Sequence, residues 1–220
     1  MADLGRTIVV GKNSRVWRSL SHDPRLTACI AIGHADVADF GFSDTDQVWI
    51  LSYSRDMTQN RALFAALARA GGRRCIYVST ATANVDVVTQ CYEYPRIKRA
   101  CEQMCRTENG ACIVSIGVVY QSAADLPAGT TIATSLDQLA EAIATPVGAD
   151  EDHINLFEPI TRPFGSDTER VAFRLYGIVQ KLAGGWPCLL RPLDLVLRTL
   201  GWRWYGYLYL SNRLWLTTTS

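Results

Sequence analysis

The sequence predicts an α/β protein built on a parallel, doubly wound sheet. Three observations carry that prediction. Short β-branched runs recur through the first 145 residues (RTIVV, TACIAI, QVWILS, CIYVS, ACIVSIGVVY). Continuous apolar runs of this kind suit strands buried on both faces. Helically patterned segments stand between them, and this alternation from residue 6 to 145 is that of a sheet covered by helices on both sides.

Residues 6–10 form the first predicted strand, closed by Gly11. Residues 12–22 are polar and basic, with Val16, Trp17 and Leu20 as apolar points, and suit a short helix. Residues 27–32, closed by Gly33, and 47–52 are the next strands. Residues 58–70 make the strongest helix: they are Ala/Leu-rich, Thr58 suits a cap, and Gly71-Gly72 a stop. A strand follows at 75–79. The helix predicted at 94–106 carries Pro95 where a first-turn proline is tolerated, and Asn109-Gly110 ends it. Residues 111–120 read as one buried strand, and 135–144 as an amphipathic helix capped by Ser135.

After Pro146 the texture changes. Residues 147–152 are an acidic, Gly-containing loop, and a helix is predicted at 167–182. The last 35 residues hold Trp186, Trp202, Trp204 and Trp215, with Arg191, Arg198, Arg203 and Arg213 and no lysine. The expected organisation is a domain over 1–148 and a mostly helical C-terminal appendage over 149–220.

Bulk properties exclude several classes. The 220 residues are 48% hydrophobic, enough for a full core, and the formal charge is +1, which gives no electrostatic case for nucleic acid. No apolar run is long enough for an ordinary transmembrane helix. The N-terminal MADLGRTIVVG lacks the design of a secretory signal. Seven cysteines without a CxxC, several in apolar runs, point to a reducing, cytoplasmic protein. Cys101 and Cys105 share a helix face, but no histidine stands nearby and no metal site is expected.

Three segments could carry chemistry. The turn Gly11-Lys12-Asn13-Ser14-Arg15-Val16-Trp17 leads from a strand into a helix, where a pyrophosphate binds in dinucleotide folds. Ser79-Thr80 follows the CIYVS strand, at the carboxyl end of the sheet. Tyr94 and Lys98, four apart, share one helix face. A neighbouring ammonium lowers a phenol's pKa and readies it for proton transfer.

Together these segments resemble the short-chain dehydrogenase/reductases of the extended and atypical epimerase/dehydratase branch. CIYVSTATA is similar to their strand and turn, and YPRIKRACEQ to their tyrosine–lysine helix, including the acid Glu102. TQNRALFAALARAGGRRCIYVST resembles their asparagine-containing helix, IVSIGVVYQ their next strand, and SLDQLAEAIA the helix after it. The resemblance covers about residues 6–145 and implies a shortened Rossmann-like fold. It implies Tyr94 as acid/base and Lys98 as its pKa-lowering, ribose-binding partner. Thr80 would orient the substrate oxygen, with Ser79 less favoured, and Asn60 would structure the site. The cofactor, NAD or NADP, would lie along Gly11, Asn13, Ser14, Arg15, Val16, Ser52, Tyr53, Ser54 and Lys98. The implied reaction is NAD(P)-dependent oxidoreduction, epimerisation or dehydration of a sugar or nucleotide-sugar.

The sequence also departs from that family. Ser14 and Trp17 stand where the family has its second and third glycines, and Trp17 would crowd the helix–strand packing. GHADVADFGFSDTDQVWIL resembles the third strand and the lead into the fourth, so one βα unit is trimmed. His34 and Asp36 are the candidates for the ribose-binding acid. Ser115, Val118 and Gln121 replace a common arginine, asparagine and glycine, and the short 80–94 interval leaves a small substrate loop. Lys12, Arg15 and Arg18 would lean the site toward NADP; solvated surface positions explain them equally.

Residues 186–216 fit three readings: a substrate lobe stacking a ligand on Trp202, Trp204 or Tyr205 with Arg203 or Arg213 on a phosphate; an aromatic, basic patch on a membrane surface or partner; or a helical cap buried against the sheet or across a homodimer. The functional readings stay equally distinct. One is a cytoplasmic enzyme of the resembled type. Another is a non-catalytic binding, regulatory or assembly relative. The third is a component of polysaccharide or lipid-linked sugar synthesis, peripheral to the inner face of the membrane.

Overall fold

The computed structural model describes residues 5–70, 74–183 and 189–199. The chain begins β1 (Thr7–Val10), α1 (Arg15–Leu20), β2 (Ile30–Ile32), β3 (Gln47–Ile50), α2 (Met57–Arg69), β4 (Arg74–Thr80), α3 (Asp86–Cys91) and α4 (Glu93–Asn109). It continues β5 (Cys112–Ile116), β6 (Val118–Tyr120), β7 (Gly129–Ser135), α5 (Leu136–Ala144), β8 (His153–Leu156), β9 (Glu158–Arg162), α6 (Asp167–Ala183) and α7 (Leu190–Thr199). Six strands, all parallel, form the main sheet in the order β2-β1-β3-β4-β5-β8. This is the expected shortened Rossmann-like sheet.

Side chains alternate across that sheet, and both faces are covered. Ile8, Val10, Val48, Ile50, Tyr77 and Ile113 pack with Leu63, Phe64 and Leu67 of α2 and Ile97 and Cys101 of α4. Val9, Trp49, Ile76, Val78 and Val114 pack with Trp17 and Leu20 of α1 and Leu139 and Ile143 of α5. Period-two burial on both faces explains why the strands read as unbroken apolar runs.

The trimmed unit lies between β2 and β3. Residues 33–46 form no strand; a short 3-10 turn at Ala35–Ala38 carries the chain directly into β3. The strand expected at 111–120 is two strands. Gly117 breaks it, because a Cβ there would lie 2.5 Å from the Ile132 carbonyl oxygen. That close approach, with Gly117 N–H donating to Thr134 Oγ1 at 2.9 Å, turns the chain out of the main sheet. β6 then pairs parallel with β7, which pairs antiparallel with β9, in a small second sheet.

The caps divide between expectation and correction. Ser135 caps α5, accepting from Gln138 N at 3.0 Å, while Gln138 Oε1 accepts from Ser135 N. Helix α2 starts one residue earlier than predicted: Asp56, not Thr58, is its cap and accepts from Thr58 N at 2.8 Å. Gly110 ends α4 in the left-handed conformation. The main sheet runs past residue 148, since β8 pairs with β5. Beyond it α6 and α7 supply the helical C-terminal region. The Gly71-Gly72 stop and most of the tryptophan- and arginine-rich segment 186–216 lie outside the described residues.

Replacing Gly117 by Ala should destabilise the protein by about 1–3 kcal/mol through overpacking against the Ile132 carbonyl. Urea unfolding checks this; an unchanged midpoint would mean that the two sheets do not depend on that approach.

Candidate functional site

The strand order reverses beside β1, whose connections lead to β2 on one side and β3 lies on the other. Open α/β sheets bind ligands at such a point, outside the carboxyl ends of the strands. Here those ends surround a cleft of about 530 Å³, within the usual size of small-molecule sites. Its lining comes from the turn after β1 (Gly11, Asn13, Ser14, Arg15, Val16), from Gly33 and His34 after β2, and from Leu51 to Ser54 after β3. Gln59 of α2, Val78 and Ser79 of β4, Ile116 of β5, and Tyr94 and Lys98 of α4 complete it. Every residue expected to line a cofactor site therefore meets in one place, together with the Tyr94/Lys98 pair.

The turn after β1 is shaped by Gly11. Its φ is +118°, and an added Cβ would lie 2.8 Å from the Ser52 side chain. Only glycine allows both the conformation and the approach of the two loops. Gly11 and Lys12 N–H groups donate to the Ile32 carbonyl at 2.8 and 3.0 Å. Ser14 caps α1, its Oγ accepting from Trp17 N at 3.1 Å. Trp17, expected to crowd the helix–strand packing, is buried on the α5 side of the sheet and does not line the cleft. The bulky residue is absorbed by the core there.

Asn60 does not line the cleft, yet it holds it. Its Oδ1 accepts from Ser54 N–H and its Nδ2 donates to Ser54 O, both at 2.7 Å. This fully buried amide thus clamps the loop after β3. On the other side of that loop Ser52 Oγ and His34 Nε2 are hydrogen-bonded at 2.5 Å. Burial pushes the His34 pKa down, keeping the ring neutral. Asp36, the other acid considered for a ribose, accepts from Gly33 N–H and pairs with Lys12 at 2.8 Å. Of Lys12, Arg15 and Arg18, Arg15 lines the cleft.

Lys98 is the most constrained group. It is 5% exposed. Its ammonium donates to the Val78 carbonyl at 2.8 Å and lies 4.9 and 4.8 Å from the ring centres of Tyr53 and Tyr77. Desolvation lowers its pKa from 10.5 to about 8, while Cys101 and Glu102 act in the opposite direction. Tyr94, one turn earlier, meets Tyr53 edge-on with centroids 5.5 Å apart.

The two hydroxyls at the end of β4 exchange their expected places. Thr80 is buried outside the cleft lining. Its Oγ1 lies 3.1 Å from Thr82 Oγ1 and caps the turn that follows. Ser79 lines the cleft instead, and its Oγ is buried without a hydrogen bond. The Glu102 carboxyl lies beside it, pushed up in pKa by burial, but the two make no bond of normal geometry. Strand alternation held the missed signal: Tyr77 faces α4, so two residues on Ser79 does too, and Thr80 cannot.

No protein-family model matches the chain, and no curated protein matches it in sequence. Solved structures match its fold. UDP-N-acetylglucosamine 4-epimerase from Bacillus cereus aligns over 71% of this chain and 80% of its own, at 14% identity and a TM-score of 0.52. dTDP-4-dehydrorhamnose reductase from Bacillus anthracis, in complex with NADP, aligns over 80% and 82%, at 13% identity and 0.53. A short-chain dehydrogenase/reductase superfamily protein from Agrobacterium tumefaciens with bound NAD aligns over 71% and 79%, at 14% identity and 0.54. The chain has the Rossmann-like fold of these proteins.

Two measurements probe the site. Asn60→Leu should cost about 1–3 kcal/mol by unpairing the Ser54 backbone, read by urea unfolding. Lys98 sets a pH dependence. Unfolded, it keeps its proton to about pH 10.5; folded, it loses it near pH 8. Between these values the unfolded state binds more protons, so this group makes stability rise with pH. The stability of the native protein relative to Lys98→Met should climb across that window by on the order of 3 kcal/mol. A flat difference would contradict the buried ammonium.

Proposed function

We propose that the chain is a divergent short-chain dehydrogenase/reductase of the epimerase/dehydratase type. It would be an NAD(P)-dependent oxidoreductase, epimerase or dehydratase acting on a sugar or nucleotide-sugar. The observation that carries this is the gathering of Tyr94, Lys98 and the turns after β1 and β3 around one cleft at the reversal of strand order. The residues fit a dinucleotide. Gly11 leaves open the approach that a Cβ would fill, and Lys98 places a buried cation at the far end, beside Tyr94. Gly11 to Val16 would hold the phosphates, and Ser52 to Ser54 with Lys98 the nicotinamide side. Arg15 supports NADP over NAD. When bound, the nicotinamide supplies hydride acceptance and donation.

The chain's own residues would handle the proton. Lys98, mostly charged at pH 7, favours the Tyr94 phenolate. Tyr94 would then take a proton from a substrate hydroxyl or return it to a carbonyl. Ser79 Oγ, with its hydrogen-bonding capacity unused, is better placed than Thr80 to hold the substrate oxygen. Asn60 would act by positioning the loop after β3. Seven cysteines without a CxxC fit a reducing, cytoplasmic setting. The six-residue α1 behind a single-glycine turn favours a second reading, a relative that binds or regulates without turnover.

Titration of NADPH and NADH, followed by nicotinamide fluorescence, separates the two readings of the cleft from a site with no cofactor. Saturable binding is expected, and Gly11→Ala should weaken it by roughly tenfold or more, about 1.4 kcal/mol. Tyr94→Phe should bind the cofactor as the native protein does and lose turnover of a nucleotide-sugar panel. No saturation with either cofactor at millimolar concentration would sink the proposal; binding without any turnover would favour the second reading.

A further inference from the structure

Behind the wall of the cleft, between the main sheet and α4, buried oxygens have hydrogen-bonding capacity left over. Ser79 and Ser115 are register partners on β4 and β5, so their side chains leave the sheet on the same face. They are 1% and 0% exposed. Glu102 of α4, one turn beyond Lys98 and 6% exposed, brings its carboxyl beside Ser79. Ser79 Oγ and Glu102 Oε1 are both buried without a hydrogen-bond partner. Polar atoms buried in this way are costly unless they are satisfied.

Ser115 has a hydrogen to spare, and its neighbours show why. A guanidinium only donates, so the contact of Arg106 with His153 Nδ1 at 3.1 Å makes that nitrogen the acceptor. The ring hydrogen is therefore on Nε2, which lies 3.1 Å from both Ser115 Oγ and Asn155 Oδ1. Asn84 Nδ2 donates to Ser115 Oγ as well, at 3.3 Å. The serine oxygen thus faces two donors, and its own hydrogen is directed to a further acceptor. The neighbouring hydroxyl across the sheet is that of Ser79, one strand spacing of about 4.8 Å away. Such a span suits one water between two hydroxyls, about 2.8 Å from each.

We propose that Ser79, Ser115 and Glu102 hold one ordered water, and that Glu102 acts through it as a positioning residue for Ser79. Three protein partners are the usual complement of a buried water. Ser115 donates to the water. The water donates to Glu102 Oε1 and to Ser79 Oγ, which leaves the Ser79 hydrogen to point into the cleft that Ser79 lines. Ser79 then offers a donor to a carbonyl oxygen, the oxidised form of a substrate's reacting carbon. The effect on turnover rests on the proposed reading of the cleft; the water does not.

A high-resolution crystal structure of the full chain tests the water directly. The native protein should show it within hydrogen-bond distance of all three oxygens. Glu102→Leu should lose it, and Glu102→Gln, whose amide oxygen also accepts, should keep it. Ser79 bonded directly to Glu102 with no water, or a water unmoved in Glu102→Leu, would overturn the proposal. With the nucleotide-sugar panel, Glu102→Leu should lower kcat roughly tenfold at unchanged NADPH affinity, and Glu102→Gln should restore most of it. Equal losses in the two variants, or a loss in neither, would contradict the positioning role. A native protein that binds no cofactor and turns over no sugar would fail the reading of the cleft instead, and the water, with its loss in Glu102→Leu, would still decide this proposal.

Discussion

The site is organised around an ammonium group deprived of water. Lys98 reaches from α4 under the carboxyl end of β4, where one backbone carbonyl and two tyrosine rings replace its hydration. Removing a cation from water is costly, and the cost appears as the fall of its pKa to about 8. It persists because the surrounding structure allows few alternatives. Tyr77 is fully buried in the sheet, Tyr53 is held on a loop that Asn60 clamps, and the Val78 carbonyl points at Nζ from the end of a central strand. A charge held this way strengthens every interaction it makes with the cleft beside it.

The same economy governs the turn after β1. A glycine-rich turn normally gives a ligand room and lets helix and strand pack closely. This chain keeps one glycine at the position where φ and the approach of Ser52 both demand it. The remaining adjustment is made by packing: Trp17 fills the opposite layer between the sheet and α5. A tryptophan at this position therefore shapes the core without closing the cleft. The missing βα unit is tolerated in a similar way, because β2 serves as the sheet edge and a short turn delivers the chain to β3.

Much of this was legible in the sequence, for a physical reason. Strands buried on both faces must be apolar throughout, so β1, β3, β4 and β5 stand out as runs. The second sheet does not. β6 reads as the tail of the run at 111–120, and β9 is partly buried or exposed throughout, which leaves it no run to read. Gly117 sits inside an apolar stretch, and nothing local marks the backbone approach that breaks it. Within the site, the turn residues, Ser52 to Ser54 and the Tyr94/Lys98 pair converge as their order along the chain implied. Thr80 was the wrong member of its pair for lining the cleft, because adjacent residues on a strand face opposite ways. Asn60 acts on a backbone segment six residues away, a role that depends on the folded loop.

The account depends most directly on the protonation of Lys98 in the folded protein. A ¹³C-detected titration of lysine Cε resonances, with Lys98 assigned by its loss in Lys98→Met, measures it. A midpoint near pH 8 is the predicted result. A midpoint near that of a free lysine, about 10.4, would mean that the ammonium is hydrated, and the constraint on which the cleft is built would be absent.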